Sequence, residues 1–340
     1  MTRRLHLVAL AAAALALTAG PAAADDFCVG GPGCEFQAIQ PALDAAQANP
    51  GHDRVLIGPG AWAGSTVATG DVEIRGSGPA TTIDGLVLGA GTTLEDATVA
   101  GAPALRVVAH TGAATVRRTR LIGRGGSVVS SESGALTIRD ALIDARAPET
   151  GPALTTAAAE AAALHTVDVE SATLLGHGQE AIEARAVDPA DHVTVTLRDT
   201  VAAGFGADAL ARTGAGVANM SLDYVDVFPA AEVVQHAAGT LTTAAVLHVA
   251  PGFAADGITP AAGSPLIDAA TPGGFGVGEL DLLGDPRLAA LGCGEARRDI
   301  GAVEAAGSCR PRRHRTLRLR YVRRDGHYAT RVIDAPLTVG

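Results

Sequence analysis

A short pattern of apolar and polar positions recurs along the middle of the chain. Each copy has an aliphatic residue, four mostly polar residues and a second apolar residue five positions after the first. The copies occupy residues 94–99, 116–121, 138–143, 169–174, 197–202 and 222–227. Glycine-rich segments separate them, and successive copies begin 22 to 31 residues apart, which is typical of a coil that winds once per repeat.

This repeat predicts an all-β fold, a single-stranded parallel β-helix of roughly seven to nine coils. A single coil cannot bury its own apolar face, so each must stack on neighbours at about 4.8 Å. A leucine-rich repeat has a similar period, but its leucine and asparagine framework is missing here. A two-sheet sandwich remains the alternative.

The segment before the repeats has helical periodicity. Phe36, Ile39, Leu43 and Ala46 lie on one stripe of a predicted helix, which precedes strand-like segments near 54–60 and 72–76. Because an open solenoid end exposes apolar residues and unpaired strand edges, we expect this helix to cap the N-terminal end.

The first 24 residues have the pattern of a secretory signal. Arg3 and Arg4 precede an apolar run, and Ala22–Ala24 provide a small-residue cleavage site before Asp25. A transmembrane anchor is the alternative, but a run of about 15 residues is shorter than a bilayer requires. We therefore expect a secreted or extracellular protein, which includes attachment to the cell surface. We expect no transmembrane segment in the mature chain. The export route stays open.

Four cysteines form two local pairs at the two ends of the mature chain. An even number in an exported protein predicts disulfides between Cys28 and Cys34 and between Cys293 and Cys309. Neither pair has the spacing of a zinc site.

Two parts of the sequence resemble a known family. Residues 34–60 look like the N-terminal cap and first coil of secreted right-handed parallel β-helix proteins, the pectate-lyase-like superfamily. The series at 263–269, 281–287 and 298–304 is similar to the closing segment of bacterial β-helix repeat proteins, many of the choice-of-anchor surface group. The resemblance implies a right-handed β-helix that is secreted or on the surface. Its members include lyases, hydrolases and proteins of no known activity.

Candidate chemistry is sparse. The Gly-His-Gly sequence around His177 resembles a polygalacturonase motif, but the clustered aspartates and basic motif of those enzymes are missing. Arg139-Asp140 and Arg198-Asp199 occupy equivalent places in two coils and could form a stripe that binds an acidic or hydroxylated polymer. The competing interpretation is turn chemistry, because Asp adopts left-handed backbone readily.

Charge divides the chain into three parts. Residues 1–24 are the predicted signal, 25–309 the acidic β-helix domain, and 310–340 a basic extension with nine arginines and two aspartates. Alternation at 317–322 and 328–333 around Asp325-Gly326 predicts a β-hairpin, with a poorly ordered tail as the alternative. The hairpin could contact the acidic domain or an anionic polymer; nucleic acid is not expected as a partner.

These observations favour a monomeric, non-catalytic protein that presents a rigid face to a polysaccharide or cell-envelope polymer. The alternative is a polysaccharide lyase or glycoside hydrolase with an unrecognised site, for which Arg198, Asp199 and His177 are the candidates. No cofactor is expected, and Ca²⁺ enters only under the lyase alternative. Phosphate-loop, dinucleotide and nucleophile-elbow motifs are all missing from the sequence.

Overall fold

The protein is described by a computed structural model. Backbone and side chains are described at 24–63, 66–157, 164–229, 236–272, 279–287 and 297–305. The backbone alone is described at 233–235, 314–322 and 328–336. The predicted signal up to residue 23 and both Cys293 and Cys309 lie outside these residues.

The chain winds as a parallel β-solenoid of about eight turns, which confirms the predicted fold class. Three parallel sheets, here called A, B and C, run along the solenoid, and each coil passes through them in that order. Sheet A contains β1 Asp26–Val29, β2 Asp53–Ile57, β5 Val72–Arg75, β7 Thr93–Glu95, the ends of β8 Thr98–Arg117 and β10 Val129–Arg139, β13 Leu164–Glu170, β16 His192–Arg198, β19 Val217–Asp223 and β22 Leu241–Ala244.

Sheets B and C complete each coil. Sheet B contains β3 Gly60–Trp62, the starts of β6 Thr81–Leu88 and β8, β9 Arg120–Gly123, β11 Leu142–Asp144, β14 Thr173–Leu175, β17 Val201–Ala203 and β20 Asp226–Phe228. Sheet C contains β4 Thr66–Ala68, the end of β6, the middle of β8, the start of β10, β12 Leu154–Ala157, β15 Ile182–Ala186, β18 Leu210–Gly214 and β21 Val233–Gln235.

The repeat found in the sequence forms the core. The first residues of its six copies are register partners in sheet A and stack in the order Leu94, Val116, Ile138, Val169, Leu197 and Leu222. All six are buried. The second apolar residues stack in the same way in sheet B. Two aliphatic ladders therefore run the length of the solenoid, and their burial is the main stabilising contribution.

The N-terminal end is closed by the predicted cap helix. Helix α1, Ile39–Ala48, buries Ile39, Ala42, Leu43 and Ala46 against the first coils. Just before it, a disulfide joins Cys28 and Cys34, which confirms the first predicted pair. A short 3-10 helix, Gly78–Ala80, is the other helical element described. Among the described residues, no helix is long and apolar enough to cross a membrane.

After β22 the chain returns along the solenoid instead of adding coils. We call residues 279–287 and 297–305 the latch; they pack against the turns between sheets A and B. The basic extension then forms an antiparallel pair, β23 His314–Val322 and β24 Tyr328–Pro336, as the hairpin prediction required. The predicted Asp325-Gly326 turn lies outside the described residues.

Candidate functional site

The candidate aspartates lie in the turn that connects sheet A to sheet B. Asp140 and Asp199 directly follow their sheet A strands and have left-handed backbone, with φ of 52° and 49°. The equivalent residues Asp96, Arg118 and Ser171 share this conformation. The left-handed turn is therefore common to successive coils whatever the side chain, and only its aspartates agree with the turn-chemistry interpretation.

The preceding residues form a ladder of charges along the outward side of sheet A, in which Glu95 is buried. In register order they are Arg75, Glu95, Arg117, Arg139, Glu170, Arg198 and Asp223. Most neighbouring pairs in this ladder have opposite charge, and such cross-strand pairs are favourable. We call these seven residues the charge ladder.

Both candidate arginines belong to the charge ladder and are paired with an acid of the next coil. Arg139 Nη2 lies 3.0 Å from Glu170 Oε2, and Arg198 Nε lies 3.5 Å from Asp223 Oδ2. Their side chains are 49% and 46% exposed. They can therefore contact a ligand in solution, while the neighbouring acids hold their positions.

A second row runs beside the charge ladder, two residues earlier in each strand. Its members are Glu73, Thr93, Thr115, Thr137, Asp168, Thr196 and Ser221, and Thr242 continues the row into the next coil. Because successive strands lie about 4.8 Å apart, hydroxyl and charged groups repeat at that interval. The outer face of sheet A thus presents two parallel rows of hydrogen-bonding groups.

The aspartates, in contrast, are covered by the latch. Arg287 Nε donates to Asp140 Oδ1 at 2.7 Å and its Nη2 donates to the Ser171 carbonyl at 3.2 Å. Arg298 Nη2 donates to Asp199 Oδ2 at 3.0 Å and to Glu170 Oε1 at 3.3 Å. Both arginines are buried.

Asp199 has further partners that occupy its other oxygen. The backbone N–H and the hydroxyl of Thr271 both donate to Asp199 Oδ1 at 2.7 Å. Burial raises the pKa of Asp199, and the hydrogen bonds from Thr271 and the charge of Arg298 oppose that rise. Burial likewise raises the pKa of Asp140, with Arg287 opposing it. With these partners, both carboxylates anchor the latch.

His177 lies at a different edge of the coil. It follows β14 in the turn from sheet B to sheet C, where it is exposed and its backbone N–H donates to Gln179 Oε1 at 2.8 Å. Arg198 and Asp199 lie in the turn from sheet A to sheet B. The structure therefore does not bring the three suspected catalytic residues together, although acid–base catalysis needs them within reach of one substrate.

A small pocket borders the latch. Asp96, Arg118 and Arg120 line one side of it, Leu282 and Leu283 the other, and its volume is about 80 Å³. Ligand pockets are usually several hundred cubic ångströms, so this one is too small for an oligosaccharide. Within the described ranges, no three His, Cys, Asp or Glu side chains are grouped to hold a metal ion.

The latch also carries a group of acids. Glu304 accepts from the Asp299 N–H at 3.2 Å, and the Glu304 N–H donates to Asp281 Oδ2 at 2.9 Å. Burial is the main cause that raises the pKa of Glu304 to about 8 and that of Asp299 to about 6, and repulsion between them adds to the effect on Glu304.

Sequence reasoning missed the roles of Arg287 and Arg298. Both lie in the closing series that carries the family resemblance, so the motif was visible but its contacts were not. The available signal was an arginine close to an aspartate in each segment, Arg298 next to Asp299 and Arg287 two residues after Asp285. Comparison with known protein families gives no match, and no similar curated protein is found.

Proposed function

We propose that this chain is an exported, non-catalytic β-helix protein whose sheet A face binds an extracellular polysaccharide or cell-envelope polymer. The observation that carries the proposal is the pair of rows on that face. They are the charge ladder and, beside it, the second row of mainly hydroxyl side chains. A polymer lying along the solenoid axis would meet the same groups in successive coils. The signal pattern at the N-terminus and the Cys28–Cys34 disulfide support an oxidising, exported location.

The chemistry of the face favours a hydroxyl-rich polymer that carries anionic groups. Half-exposed arginines can donate two hydrogen bonds to a carboxylate or sulfate, and threonine hydroxyls can donate to and accept from sugar hydroxyls. Repeated weak contacts along one rigid surface add up as multivalent binding. The face has few aromatic residues, so stacking on sugar rings contributes little.

The experiment measures retention of the mature protein on polysaccharide and cell-wall fractions, with two double variants. Arg139→Gln with Arg198→Gln removes two arginines from the sheet A face. Arg106→Gln with Arg185→Gln is the matched control, because these arginines lie on sheet C, are 49% and 48% exposed, and are also ion-paired.

We expect the sheet A variant to bind about tenfold more weakly, which corresponds to about 1.4 kcal/mol, and the sheet C variant to bind as the wild type does. Equal weakening by both pairs, or no retention of the wild type on any fraction, would refute the proposed face. The same samples are assayed for unsaturated products and reducing ends with and without Ca²⁺. Cleavage by the wild type would replace the non-catalytic proposal with the lyase or hydrolase alternative.

A further inference from the structure

The latch is attached to the solenoid through two small apolar clusters and through many polar contacts. Leu282, Ala302 and Val303 pack against Leu142 and Leu175, which is a small cluster. Ile300 packs against Val201 and Leu266 in a second small cluster. The rest of the attachment consists of the arginine–aspartate pairs and of hydrogen bonds, such as Gly301 N–H to the Asp199 carbonyl at 2.9 Å. Because buried charged groups contribute much of this attachment, it responds strongly to a change in their ionisation.

The acids of the latch outnumber the cations available to them. Asp299 Oδ1 and Oδ2 accept backbone N–H groups of Asp268 and Ala305, each at 2.8 Å. The cation nearest to Glu304 is Arg287, whose Nη1 lies 3.5 Å from Glu304 Oε2. Two of the nitrogens of Arg287 are already bonded to Asp140 and the Ser171 carbonyl.

The charged and titratable groups around this cluster come from both the latch and the solenoid. On the latch side they are Glu279, Asp281, Arg287, Arg298, Asp299 and Glu304, and on the other side they are Asp140, Glu170, Asp199 and Asp268. Full ionisation leaves more negative than positive charge in a place that water reaches poorly. That arrangement favours the protonated form of one of the acids.

We propose that the latch is a proton-operated device, closed while Glu304 is protonated and opened when that proton passes to solvent. Opening separates Arg287 from Asp140 and Arg298 from Asp199. It thereby uncovers the turns that connect sheets A and B, beside the charge ladder, while the solenoid stays folded. This inference does not depend on polymer binding at the sheet A face.

The direction of the pH effect follows from proton linkage. The pKa of Glu304 is higher in the closed state than in a solvated one, so the closed state binds more protons between about pH 4.5 and about pH 8. Stability of the closed latch therefore falls as pH rises through this interval. Asp299, with its pKa raised to about 6, acts in the same direction at lower pH.

The test is hydrogen exchange of the full mature chain at about pH 6.5 and about pH 9, corrected for the intrinsic rate. The reporters are the amides of Gly301 and Ala302, which bond to Asp199 and Thr173, and the reference is β16 in the solenoid. We expect latch protection to fall at least about tenfold at the higher pH, with β16 unchanged. Glu304→Gln should keep its latch protection at high pH.

Glu279→Gln is the matched control, because Glu279 is on the latch and paired with Arg298 but is 36% exposed. It should open with pH as the wild type does. The proposal is overturned if wild-type latch protection does not change, if β16 loses protection with it, or if Glu304→Gln opens like the wild type. Should Glu304→Gln fail to close at low pH, Asp299→Asn is measured instead, and a full wild-type response in that variant contradicts the proposal.

Discussion

Arg298 and Asp199 form a buried ion pair across 99 residues of chain. Arg298 Nη2 lies 3.0 Å from Asp199 Oδ2, and the two side chains are 3% and 0% exposed. A carboxylate suspected of catalysis is thus an attachment point for the end of the domain. Arg198, which directly precedes Asp199, stays 46% exposed in the charge ladder. Neighbouring residues of one turn therefore have opposite environments.

Replacing Arg298 by leucine should be strongly destabilising. It leaves Asp199 buried with its main cation removed, and loss of one partner of a buried pair costs about 3–5 kcal/mol. Urea unfolding of the mature protein measures the change. Arg146→Ala is the control: Arg146 is 51% exposed and paired with Asp144, so its loss should cost less than about 1 kcal/mol. Similar losses of stability in the two variants would show that burial does not determine how much these ion pairs contribute to the free energy of unfolding.

The aliphatic ladder of sheet A predicts a contrast between neighbouring residues. Leu197 is buried between Val169 and Leu222, and Leu197→Ala should cost about 2–5 kcal/mol through lost burial and the cavity left behind. Thr196 lies on the outer face, and Thr196→Ala should change the free energy of unfolding by less than about 0.5 kcal/mol. The urea midpoints test this contrast, which a reversed order of the two losses would contradict.

His165 predicts a loss of stability in mild acid. It is buried in the solenoid and bonded to Ser131 Oγ at 2.8 Å, and burial lowers its pKa to about 4. The unfolded chain therefore binds more protons between about pH 6.5 and about pH 4, so this contribution is complete above that interval and is lost as pH falls through it. The shift corresponds to about 3 kcal/mol.

The measurement compares urea unfolding of the wild type and His165→Gln across that pH interval. Asp299 and Glu304 change stability in the opposite direction there, so the difference between the two proteins isolates His165. The wild type should lose more stability than the variant on acidification. His192→Gln, at an exposed position of β16, should retain the wild-type pH dependence. If His165→Gln shows the same pH dependence of unfolding as the wild type, the imidazole of His165 can take up a proton in the folded state.

The fold was predictable because its signal is local and repeated. Each copy of the pattern specifies an inward aliphatic residue, a turn and a second inward residue, as at Leu94 and Val99. When the coils stack, equivalent residues of successive copies become neighbours. The six copies therefore specify one aliphatic ladder in sheet A and one in sheet B. The cap helix and the Cys28–Cys34 disulfide were predictable for the same reason, since each depends on residues close together in the chain.

The candidate site was predictable only in part. Arg139 and Arg198 are on an exposed outer row, as their equivalent places in two coils suggested. Asp140 and Asp199 looked equally available in the sequence, yet their partners come from 147 and 99 residues later. Periodicity carries no information about which non-repeating segment returns to which coil.

The sequence by itself determined the winding of this protein, because side-chain alternation and turn spacing are properties of neighbouring residues. Only the tertiary structure decided which polar groups remain in contact with solvent. The latch returns over the turns between sheets A and B, where Arg298 buries Asp199 and Arg287 covers most of Asp140. Desolvation and ion pairing then convert these carboxylates from surface groups into internal attachments, while the arginines of the charge ladder stay at the surface.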